Sequence, residues 1–183
     1  MNFMIALTVQ FAVSLHHPLI QEPPMIEANQ LRELIVEVLD TCPDQRLNTP
    51  AAVELLMLTA ATESHLGTYI RQIKGPARGI FQMEPATEKD IYENYLRFPR
   101  QLQLLLWVEE FKGTRGIDLK ANLAYQIAMA RVHYWRSPMK MPLEDDAVGL
   151  ANKWKQVYNT ELGRGTIGKA LADYRRLVIV TSN

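Results

Sequence analysis

At 183 residues, the chain is long enough for one sizeable hydrophobic core and short for two. Its 48% hydrophobic and 22% charged residues are those of a globular protein, and 20 basic against 20 acidic side chains exclude an electrostatic case for nucleic acid. One cysteine, Cys42, excludes an intrachain disulfide, and His16, His17, His65 and His133 stand at no zinc-site spacing with it, so no metal and no cofactor is expected.

Residues 1–24 read as an N-terminal extension of uncertain order, ahead of one domain over 25–183. Phe3 to Leu15 is mostly apolar, but no Lys or Arg precedes it and no clean small-residue cleavage site follows. It is too short and interrupted for a membrane span. An ordered packing segment, a disordered or artefactual start and a targeting segment all remain open.

From Met25 to Leu39 the spacing of Leu31, Leu34, Ile35 and Val38 predicts an amphipathic helix. A polar loop, Thr41 to Thr49, leads to a second helix over Pro50 to Leu66, with Thr49 as cap, Pro50 at the first position and Gly67 as stop. Further helices are expected over Glu84–Leu96, Pro99–Phe111, Asp118–Trp135, Leu143–Gln156 and Thr166–Val178. Phe98-Pro99, the two glycines of Lys112–Gly116 and Ser137-Pro138 separate them. Glu144, Asp145 and Asp146 suit the positive end of a helix and need no catalytic role. The fold class is mainly α, with at most a minimal β-hairpin.

Glu63 lies in the last turn of the second helix, on or beside its core-facing stripe. Burial and the negative end of the helix dipole both disfavour its charged form, which suits a general acid. The alternative is a solvated Glu, or one paired with Arg71 or Arg78. Beyond it, Gly75 and Gly79 allow a tight turn, Ile80, Phe81 and Met83 anchor a short segment, and Gln82 offers both donor and acceptor.

The stretch from Thr62 to Thr87, TESHLGTYIRQIKGPARGIFQMEPAT, resembles the signature of the lytic transglycosylases of the goose-type lysozyme superfamily. There a Glu-Ser pair ends a helix and a Gly-Ala-x-Gly-apolar-apolar-Gln-x-x-Pro-x-Thr segment follows. Asp118 and Asn122 are similar to that family's entry to a later helix, although Gln126 replaces the small glycine usual one turn on, and Asn122 is expected to be structural. Tyr158-Asn159 resembles its Tyr-Asn-Ala-Gly-Pro-Gly segment, with Thr160-Glu161-Leu162 in place of Ala-Gly-Pro. The likeness runs from about Thr49 to Gly165 and is tightest over Glu63–Thr87.

The resemblance implies a lysozyme-like domain that cleaves the β-1,4 bond between N-acetylmuramic acid and N-acetylglucosamine in peptidoglycan. Glu63 would be the single acid/base. Gln82 and Tyr158 would position substrate and acid, and Tyr69, Phe81 and Met83 would line the sugar cleft. Tyr158 as a boundary aromatic remains the alternative, and Asp90 or Asp118 remain candidates for a second carboxylate. The expected partners are peptidoglycan glycan strands and, for a bacteriophage lysin or virion-associated lysin, other virion proteins. Such a protein resides in the virion or host cytoplasm and acts at the periplasm and cell wall. Two other readings stay open: an inactive lysozyme-like assembly component of a virion, and a helical protein that binds glycan without cutting it.

Overall fold

The computed structural model describes residues 25–160 and 163–179; residues 1–24 and the Glu161-Leu162 part of the Tyr-Asn loop lie outside the described residues. The fold is mainly α-helical. Helix α1 spans Ala28–Asp40, α2 Pro50–Ser64, α3 Pro85–Ile91, α4 Leu102–Phe111, α5 Asp118–Ala121, α6 Leu123–Trp135, α7 Ala147–Lys153 and α8 Ile167–Tyr174. Helices α3, α7 and α8 each run on into a π-helical turn, over Tyr92–Leu96, Trp154–Asn159 and Arg175–Ile179.

Helix α2 is the axis of the molecule. It packs against α1, α6, α7 and α8. Its run from Leu55 to Ala61 is buried all round, so it carries no polar stripe, as a core helix should not. The Thr49 side chain accepts from the Ala52 amide and Pro50 occupies the first turn. The helix ends at Ser64, two residues earlier than expected, because His65 and Leu66 both adopt positive φ (52° and 53°) ahead of Gly67. Ser64 secures this reversal: its hydroxyl donates to the Ala60 carbonyl and accepts from the Gly67 amide at 2.9 Å.

Several other boundaries differ from expectation for local reasons. The expected helix over Asp118–Trp135 is two helices. Asn122 adopts an extended conformation between them, its side chain accepting from the Tyr125 amide and donating to the Phe111 carbonyl. Asn122 is therefore structural, as expected, but as the cap that starts α6. Asp118 does not cap with its side chain; it accepts from the Gly113 amide at 2.8 Å. The helix expected from Leu143 begins at Ala147, because Asp146 caps it by accepting from the Gly149 amide. Pro99–Gln101 forms a short 3₁₀ turn before α4.

Between α2 and α3 the chain folds back on itself through isolated bridges, Arg71 with Arg78 and Arg78 with Met83. There is no strand among the described residues. Side chains from Ala28 in α1 to Val178 beyond α8 share one core.

Candidate functional site

A cleft of about 1000 Å³ opens at the end of α2. Its lining joins segments distant in the chain: Thr62 and Glu63 from α2, the 72–84 loop, His133 from α6, and Trp154 and Tyr158 from the π turn after α7.

Glu63 stands in this lining, partly buried. Loss of water pushes its carboxyl up from 4.5 to about 7, against the opposing pull of the Trp154 indole and the Lys169 ammonium. The indole N–H donates to Glu63 Oε1 at 2.9 Å. Among the described residues Glu63 makes no ion pair with Arg71 or Arg78; its partner is Trp154. A carboxyl raised in this way can exchange a proton near neutral pH.

Gln82 faces the cleft from a left-handed backbone conformation, φ 46°. Its side-chain amide donates to the carbonyls of Gly79 (2.7 Å) and Tyr69 (3.1 Å), so the NH2 group ties the loop together. Its carbonyl oxygen has no protein partner among the described residues and remains as an acceptor. Met83 also lines the cleft.

Two expected cleft residues are not in the lining. Phe81 is 1% exposed within the core, the anchor of its loop. Tyr69 is 46% exposed and packs edge-on against His65. The turn over Gly79–Gln82 explains the first: the Gln82 amide closes it on the Gly79 carbonyl at 3.1 Å, and Ile80 and Phe81 both pack inward from it while Gln82 stays at the cleft.

Tyr158 is the site's unpaired polar group. Its ring stacks on Tyr134 (5.3 Å) and meets His133 edge-on (5.1 Å), and its hydroxyl is buried with no hydrogen-bond partner among the described residues. Burial, then Tyr134 and Glu63, holds the phenol well above its ordinary value, so it remains a neutral O–H. Burial and then the Arg136 charge pull His133 down to about 4, leaving a neutral imidazole in the lining at neutral pH. Replacing Tyr158 by Phe should stabilise the protein by roughly 1 kcal/mol, since a buried unsatisfied group is removed. Denaturant unfolding of the two proteins checks the sign. A loss of stability would contradict an unpartnered hydroxyl.

The two acids held open as second carboxylates lie elsewhere. Asp90 binds Arg136 at 2.6 Å and Asn94 at 2.7 Å. Asp118 faces a separate groove with Tyr92 and Lys112. The second acid in the cleft is Glu84, which precedes α3 but makes no cap with its side chain. Sequence reasoning read it only as a helix start.

Trp154 and Lys169 were also missed. Lys169 lines the cleft while paired with Asp173. A buried Trp seeks an acceptor for its N–H, and Trp154 lies one helical turn before Tyr158; those two facts were the available signal.

No family model, curated protein or solved structure matches this chain. The chemistry of the cleft therefore has to speak for itself. Among the described residues there is no cluster of three or more His, Cys, Asp or Glu suited to a metal ion, and no helix long and apolar enough to cross a membrane.

Proposed function

We propose that this protein cleaves the β-1,4 bond between N-acetylmuramic acid and N-acetylglucosamine in peptidoglycan, with Glu63 as a single acid/base. One observation carries the reading: a carboxyl with pKa about 7 stands in a cleft with room for a glycan segment. Glu63 and Gln82, one from each of the Glu-Ser and Gly-Ile-Phe-Gln motifs that resemble the lytic transglycosylases, both line that cleft, which supports the same substrate.

In the proposed reaction, protonated Glu63 donates to the bridging oxygen as the bond from muramic C1 to that oxygen breaks. The departing sugar leaves with a free hydroxyl. The Glu63 carboxylate then takes the proton of the muramic 6-hydroxyl, whose oxygen bonds to C1. A 1,6-anhydro ring forms, no water is consumed, and Glu63 regains its proton. The Gln82 carbonyl and the Tyr158 hydroxyl are the positioning groups for sugar or acid.

Glu84 supports a second reading of the chemistry, hydrolysis by two carboxylates. Digestion of purified peptidoglycan, with products identified by mass, separates the two. Anhydro-muropeptides from wild type, with Glu84→Gln retaining activity within about threefold, would support the single-acid route. Reducing muramic ends, and a loss in Glu84→Gln of about a hundredfold or more, would assign Glu84 as the base. A folded wild type that releases nothing from several wall types would overturn the enzymatic reading and favour a virion assembly role.

A further inference from the structure

The indole of Trp154 is held on several sides. It is 1% exposed, and it follows α7 directly on the π turn that also carries Tyr158. Gly165 lies against its edge: a methyl group there would come within 2.5 Å of Cη2 and 3.1 Å of Cζ2. The ring therefore has little freedom to rotate. Its N–H is a donor only, so the oxygen it meets must accept. That oxygen is Glu63 Oε1, at 2.9 Å. Oε2 has no protein partner among the described residues.

We propose that Trp154 is the positioning residue of Glu63: its indole N–H occupies Oε1 and so assigns the transferable proton to Oε2. The inference rests on the reading of Glu63 as the acid. A carboxyl with two equivalent oxygens can carry its proton on either. Here one oxygen is engaged by a donor whose ring has little freedom to rotate. Gly165 is part of the same device, because only a residue without a side chain lets the chain pass over the indole. The Trp154 bond also favours the carboxylate form, opposing burial, and so keeps the acid from rising further above neutrality.

Two variants test this. Trp154→Phe keeps a buried aromatic and removes the donor; Gly165→Ala keeps the donor and pushes the ring. The Glu63 carboxyl is titrated directly by carbon NMR in each, and peptidoglycan turnover is followed against pH. Both variants should raise the Glu63 pKa. In both, the alkaline limb of the kcat/KM profile should move upward with it, since the acid must be protonated to act. kcat should fall about ten- to a hundredfold with KM changed less than about twofold, as expected for a displaced catalytic group. If Trp154→Phe does not fold, Gly165→Ala alone decides. An unchanged Glu63 titration and pH limb, with wild type active and Glu63→Gln dead, would overturn the inference and leave the proposed function standing. A raised Glu63 pKa in a protein whose wild type cleaves no peptidoglycan would uphold the positioning and overturn the function.

Discussion

Glu63→Gln should abolish release of muropeptides from peptidoglycan, by about a thousandfold or more, while making the protein more stable above neutral pH. The two effects have one cause. Glutamine keeps the shape of the side chain and an acceptor for the Trp154 indole, but carries no transferable proton. The wild-type carboxyl is raised from 4.5 to about 7 by burial, so the folded state resists its ionisation. A group whose folded pKa lies above its unfolded value contributes stability that is fully present below 4.5 and lost as pH rises through about 7. Glutamine has no such loss. The stability difference in favour of Glu63→Gln should therefore grow across that window and approach about 3 kcal/mol by pH 8, at roughly 1.4 kcal/mol per pKa unit. Urea unfolding of both proteins at pH 5 and pH 8 measures it. A difference that does not change with pH would mean that Glu63 is not held protonated by burial, and activity persisting in the variant would remove it as the acid.

Gly79→Ala should cost about 2–4 kcal/mol of stability and weaken substrate binding, although it adds a single methyl group. Gly79 stands at φ 75°, where an L side chain is strained. Its added carbon would also run into the Leu119 carbonyl and the Gln126 side chain. The first of these is backbone and cannot rotate away. The second is engaged: the Gln126 carbonyl oxygen accepts from the Ile80 amide at 2.8 Å, and Gln126 is 3% exposed. Displacing it leaves a buried amide unpaired. The same glycine accepts from the Gln82 side chain, so the shift reaches the cleft. Gly116→Ala is the matched control. It too has positive φ, 62°, but nothing lies within 4 Å of the added carbon, so its cost should stay near 1 kcal/mol. Thermal or urea unfolding of both variants, with KM for Gly79→Ala, tests the pair. Equal costs would mean that the contact to α6 does not hold the loop.

Gln126 illustrates how far a motif can be read from a single chain. In the sequence it stood as a departure, a large amide where the resembled family has a small glycine. In the fold it does a job of its own, reaching from α6 to the Ile80 amide and fastening the loop that carries Gln82 and Met83. The amide type was visible; that its partner lay 46 residues earlier was not. Trp154 is the stronger case. It and Glu63 are separated by 91 residues, and no local pattern joins them. Phe81 and Tyr69 lie outside the cleft lining for the converse reason: the resemblance placed them along a sugar cleft, while the direction each ring takes depended on what packs around it, and for Phe81 that is the core its segment was also expected to anchor in.

What the sequence by itself determined is the local architecture. Caps, prolines and apolar spacing set the class of fold, placed α2 and located Glu63 in its last turn, because these depend on hydrogen bonds and side chains within a few residues of one another. The starts of α6 and α7 were misjudged, at Asp118 and Leu143, because the side chains that cap those helices, Asn122 and Asp146, lie further along the chain. Tertiary structure alone decided the surroundings of the acid: the indole on Oε1, the unpaired Tyr158 hydroxyl, Glu84 in the cleft, and Asp90 and Asp118 outside it. The pKa of Glu63 belongs to that second class, since desolvation is a property of everything that packs against the carboxyl and not of the helix that bears it.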